Sequence, residues 1–185
     1  MKSSRNILLS GKKPAKLALL GFMGCGKSSI GPLLARGLGF SYIDLDTVIE
    51  SREKTTIRKI FEHRGEGVFR ELEEAALAEV AQRAEPCVLS CGGGIVLSEK
   101  NRDALCKDFV SVWIDVPLDE LLERLELERA ARPLLAEPGY RNRAAELYTQ
   151  RRALYESASL HRYAWKKGED AAASAAAIAH ILGES

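Results

Sequence analysis

The chain has 185 residues, 46% hydrophobic and 29% charged, with 27 lysines and arginines against 26 aspartates and glutamates. That length suits one domain with a substantial core, and a net charge of +1 argues against nucleic-acid binding through bulk positive charge. No apolar run approaches the roughly 20 residues a membrane span needs, and Ile7–Leu9 is too short for a signal-peptide core, so the cytoplasm is the expected compartment.

Residues 1–15 are expected to form a flexible leader, and 16–185 a single domain. Lys16–Leu20 reads as a buried strand that runs into a glycine-rich turn. From Ser28 to Leu38, Ile30, Leu33, Leu34 and Leu38 fall at helical spacing, with Gly37 and Gly39 marking the end. A second strand is expected over Ser41–Asp46, followed by two helical stretches, the stronger from about Glu66 to Arg83. Cys87–Ser90 and Val110–Ile114 read as the third and fourth strands. Pro117 opens a helix that turns Leu118, Leu121, Leu122 and Leu125 inward. A basic stretch to about Tyr140 separates it from a long helix ending near Glu156. Tyr163–Trp165 is a short last strand, and an alanine-rich helix follows from Asp170. Strands alternating with helices predict an α/β fold: a three-layer α/β/α arrangement with a central parallel sheet.

The four cysteines form no CxxC pair and the three histidines lie far apart, so neither a structural zinc nor a disulfide framework is expected. Cys87 and Cys91 read as small buried apolar side chains.

The strongest chemical signal is Gly21–Ser28, which matches GxxxxGKS/T between a strand and a helix. Glycines there let backbone amides approach phosphate oxygens, and the helix N-terminus adds its positive dipole end. Lys27 is placed to reach the β- and γ-phosphates and Ser28 to ligate magnesium, which makes ATP or GTP the expected ligand and Mg2+ the cofactor. Asp44 and Asp46, two apart on the expected strand, would point to one side at its carboxyl end. One can hold magnesium through water and the other accept a proton from an attacking hydroxyl, while aspartates at a strand end can equally cap the next helix. Arg70, with Glu73 one turn on, Arg132 and Arg151 each read singly as a solvated arginine, while a site that handles phosphate and carboxylate needs such bidentate donors. Gly92–Gly94, after the third strand, would admit a ligand close to backbone amides.

Taken in order, GFMGCGKSS, DLD at Asp44–Asp46, FRELE at Phe69–Glu73, GGG at Gly92–Gly94, RPLL at Arg132–Leu135 and RRALY at Arg151–Tyr155 resemble the shikimate kinase family from about Lys16 to Leu182. The resemblance implies transfer of the ATP γ-phosphate to the 3-hydroxyl of shikimate, on the route to aromatic amino acids. It implies ATP contacts at Gly24, Cys25, Gly26, Lys27, Ser28 and Ser29, with Arg124 as a further nucleotide contact and Arg132 as the arginine of a closing lid. It implies Asp46 at the reacting hydroxyl, Arg70 and Arg151 on the substrate carboxylate, and Gly92, Gly93 and Gly94 beside it. Ser28 and Asp44 are the expected magnesium ligands, and Lys27, Asp46 and Arg132 the catalytic set. The substrate-binding region is expected over about 46–75 and the mobile lid over about 126–140, in a monomer whose partners are ATP and shikimate, with no nucleic acid and no membrane. Ala153 stands where the family pattern has proline, which would loosen a turn after Arg151, and Ser29 where threonine is usual. A gluconate-kinase-like enzyme shares the P-loop without the later motifs. A nucleotide-binding regulator without catalysis would not need Asp46 or Arg70.

Overall fold

The computed structural model describes residues 16–128 and 139–183. All five residues of β1 (Lys16–Leu20) are buried, because parallel strands flank it on both sides. With β2 (Ser41–Asp44), β3 (Cys87–Ser90), β4 (Val110–Asp115) and β5 (His161–Ala164), it forms a five-stranded sheet in the order β2-β3-β1-β4-β5. Every pairing is parallel, and Ala18 lies opposite Leu89 on one side and Ser111 on the other.

Parallel neighbours require crossover helices. These are α1 (Lys27–Leu38), α2 (Leu45–Glu53), α3 (Ile57–Gln82), α4 (Glu99–Asp108), α5 (Leu118–Glu128) and α6 (Tyr140–Ala158), with α7 (Ala171–Gly183) closing the described chain. The step from β1 to β2 runs one way along the sheet, and the later steps run the other. Right-handed crossovers therefore put α1 on one face and α3, α4 and α6 on the opposite face, and α7 returns to pack on α1. This is the expected three-layer architecture. The reversal falls between β1 and β3, so a crevice opens at their carboxyl ends. Trp113 on β4 stacks on Tyr155 of α6 with ring centroids 6.3 Å apart, fixing α6 to the sheet.

The structure corrects four expectations. The second strand ends at Asp44, because the Asp44 carboxylate accepts from the amides of Asp46 (3.1 Å) and Thr47 (3.3 Å) and so starts α2 there. Asp46 consequently stands in the first turn of a helix. The segment after Gly94 carries a 3-10 turn, Ile95–Leu97, and helix α4, neither of which the sequence reading had marked. The last strand begins two residues earlier than expected, at His161. Ala153 lies exposed inside α6, so there is no turn after Arg151 for it to loosen.

Cys87 and Cys91 are buried free thiols, as expected. Among the described residues no helix is long and apolar enough to cross a membrane, and no group of three or more histidines, cysteines or acids could hold a metal. The leader at 1–15 and residues 129–138 of the expected lid, Arg132 included, lie outside the described residues.

Candidate active site

The loop from Gly21 to Gly26 carries β1 into α1. Gly21, Gly24 and Gly26 adopt φ of 146°, 79° and 98°, which side chains resist. Ser29 and Ile30 both donate their amides to Gly26 O, at 3.0 and 2.9 Å, so the helix starts abruptly behind the loop. Lys27 is buried, and its Nζ donates to Gly21 O (2.8 Å) and Phe22 O (3.0 Å), which holds the ammonium under the loop. Cys25 buries its side chain and uses its amide on Phe22 O at 3.2 Å.

A cleft of about 510 Å³ lies over this loop. It brings together ten of the expected residues: Gly24, Gly26, Lys27, Ser28 and Ser29 of the loop, Asp44, Asp46, Gly92, Gly93 and Arg124. It also takes in Met23, Ser90, Cys91 and Leu127, which the sequence reading had not singled out. Asp46 Oδ1 is buried without a hydrogen-bond partner. Burial above all, and then the Asp44 charge, push the Asp46 carboxyl above its usual range, against the opposing pull of Lys27 and Arg70.

Beside the cleft a second cluster forms around the triple glycine. Arg70 NH1 donates to Glu73 Oε2 at 2.7 Å and NH2 to Glu66 Oε1 at 2.8 Å, so the carboxylate one turn on does orient it. Glu73 is fully buried, and burial raises its pKa to about 7 despite Arg70. Arg151 NH1 donates to Gly93 O at 3.2 Å, its Nε is buried without a partner, and Tyr155 OH also donates to Gly93 O. The glycines earn their place by proximity, since none has a positive φ. A Cβ on Gly92 would lie 3.0 Å from Asp46 Oδ1 and 3.1 Å from Glu73 Oε1. One on Gly94 would lie 2.5 Å from both terminal nitrogens of Arg70.

Arg124 donates to Gly24 O (3.3 Å) and to Glu120 (2.9 Å), and its guanidinium lies 4.3 Å from the centroid of Trp165. Trp165 borders the Lys166–Gly168 loop, for which the sequence had offered no assignment. Tyr155, which closes the RRALY motif, has no role in the sequence analysis and Tyr42 no mention, although each has a positional signal. Tyr155 is four residues beyond Arg151 on one helix face, and Tyr42 two before Asp44 on one strand face.

A parallel sheet with a lysine-bearing phosphate loop, paired acids and clustered arginines at its carboxyl edge defines a P-loop phosphotransferase acting on a small molecule. Residues 23–182 match the shikimate kinase family. The chain is 43% identical over 148 residues to the shikimate kinase of Gloeobacter violaceus, covering 80% of this chain and 82% of that one. It is 44% identical over 142 residues to that of Geobacter metallireducens, covering 77% and 78%. The structure of shikimate kinase from Acinetobacter baumannii in complex with shikimate superposes with a TM-score of 0.81 at 30% identity, over 92% of this chain and 94% of that one. A gluconokinase from Sinorhizobium meliloti reaches a TM-score of 0.54 at 19% identity, over 94% and 96%, a likeness of fold alone. The chain belongs to the shikimate kinase family.

Proposed function

We propose that this chain transfers the γ-phosphoryl group of ATP to the 3-hydroxyl of shikimate, giving shikimate 3-phosphate and ADP in the cytoplasm. The observation that carries the reading is the two-ended site. Lys27 and Asp46, whose Oδ1 has no hydrogen-bond partner, line the cleft as its phosphate and hydroxyl groups, while Arg70 and Arg151 gather beside them at Gly93 and Gly94. A small ring acid with a reactive hydroxyl needs that polarity of site.

In this reading the loop amides and Lys27 hold the phosphates, and Arg124 stands at the nucleotide side. Arg70 and Arg151 pair with the carboxylate, so the ring is held with its hydroxyl toward Asp46. Asp46 accepts the hydroxyl proton as the oxygen attacks, a role its partial desolvation favours. Arg132 closes over the phosphates and helps exclude water. The hard oxygen donors Ser28 and Asp44 line the same cleft and fit Mg2+, which takes most of its ligands from phosphate and water and needs no cage of three acids. When bound, the ion neutralises phosphate charge.

The test is ADP release from Mg·ATP with and without shikimate, with gluconate and quinate alongside. Stimulation by shikimate alone supports both reaction and substrate. Tight ATP binding without stimulation by shikimate sinks the acceptor assignment.

A further inference from the structure

Tyr42 lies on β2, two residues before Asp44, and its hydroxyl donates to Asp44 Oδ2 at 3.2 Å. The other carboxylate oxygen, Oδ1, is taken by the amides of Asp46 and Thr47 at the start of α2. The Asp44 carboxylate is thus held from both ends, by a helix terminus on one side and a phenol on the other. The same hydroxyl faces the side chains of Ser90 on β3 and Ser28 at the start of α1. Three separate elements therefore meet at one phenolic oxygen beside the cleft.

Room for the ring is built in on α1. A Cβ on Gly31 would collide with Tyr42 Cε2 and lie 3.1 Å from Cδ2, so a side chain there would displace the ring. Packing explains the ring but not the hydroxyl, since phenylalanine would fill the same space. A partly desolvated hydroxyl without its partner would cost about 1–3 kcal/mol. Its position is best explained by what it holds.

We infer that the Tyr42 hydroxyl is a positioning group for the metal end of the cleft, fixing the Asp44 carboxylate relative to Ser28. Tyr42 does not line the cleft and acts through Asp44. The inference rests on Ser28 and Asp44 as the magnesium side of the site, and its test separates the two ideas.

ATP affinity is measured by calorimetry with magnesium present and with the metal chelated, for wild type, Tyr42→Phe, Asp44→Asn and the double variant. The ratio of the two affinities reports the metal's contribution without requiring turnover. Tyr42→Phe should lower that ratio about three- to tenfold, the worth of one hydrogen bond, while metal-free affinity holds. In the Asp44→Asn background the phenylalanine should change nothing further, because the path through the carboxylate is already cut. A wild-type ratio near one removes the magnesium assignment and this inference with it. A wild type that responds to magnesium beside a Tyr42→Phe protein with the same ratio, or with both affinities reduced together, overturns the inference alone and leaves the phenol a packing group.

Discussion

Asp44 and Asp46 show how two residues of one type come to different tasks. Asp44 ends a strand and accepts three hydrogen bonds, while Asp46, half a helical turn on, leaves one oxygen buried and unpartnered. The spacing of the pair was legible in the sequence. The change from strand to helix between them was not, because a capping aspartate and a strand-end aspartate look alike until the amides behind them are placed. Asp46→Asn should lower kcat by about 100-fold or more with ATP affinity little changed. A collapse of ATP affinity instead would move Asp46 to the metal side. Glu73 was legible only as a helix neighbour of Arg70, and its complete burial comes from packing that no local pattern announces. Its raised pKa means that the folded chain keeps this proton up to about pH 7, whereas the unfolded chain releases it near pH 4.5. Stability from this group is therefore full below pH 4.5 and is lost as the pH rises to about 7. The raised Asp46 carboxyl acts in the same direction. Glu73→Gln should flatten the fall in melting temperature across that interval, and an unchanged profile would show that Glu73 ionises at its ordinary pKa.

At the level of elements, legibility followed apolar periodicity. β1, α1 and α5 were readable because their buried residues recur at strand or helix spacing, as Leu121, Leu122 and Leu125 do. Helix α4, EKNRDALCKD, buries only Asn101 and Leu105, so it leaves no stripe to read. Its start is set by Ser98, whose hydroxyl accepts from Asn101 N and donates to Glu74 at 2.6 Å. Helix α3 is two helices joined at Gly65, where φ is 80° and ψ 169°. The kink separates the segment led by Thr56 from the one bearing Phe69, Arg70 and Glu73. A Cβ at Gly65 would meet open space, so backbone strain alone sets the effect of substitution there. Gly65→Ala should cost about 1–3 kcal/mol in urea unfolding and raise the KM for shikimate as Arg70 shifts. Helix α6 is seated differently, through Tyr148, which donates to Asp115 at 3.2 Å while Asp115 also accepts from Arg162 Nε at 2.8 Å. No sequence window spans that contact between the end of β4, β5 and the helix that carries Arg151.

For the whole molecule, the fold class followed from alternating strands and helices, but the sheet order did not. Order depends on which side of β1 each crossover takes, and that choice is made by packing across the entire chain. Because the order reverses at β1, residues far apart in sequence converge on one crevice: Lys27 from α1, Asp46 from α2, Gly93 after β3 and Arg124 from α5. Such a site draws on every layer, so ligands that fill it should stabilise the whole fold. At a concentration about 100 times its Kd, either substrate should add about 2.7 kcal/mol. For a chain of this size that raises the melting temperature by roughly 5–10 °C. A shift with Mg·ATP but none with shikimate would contradict the acceptor reading at the level of binding, before any turnover is measured.

The triple glycine also constrains how this protein can change over generations. A side chain on Gly94 would push the Arg70 guanidinium from its present place, and Gly92 is hemmed in by Asp46 and Glu73. Shortening Arg70 first removes a charge from the site; enlarging Gly94 first drives that same charge out of place. Neither order passes through an intact intermediate, so the turn and the side chains above it are inherited as one unit. A descendant with a different acceptor would have to replace them together or alter its specificity elsewhere.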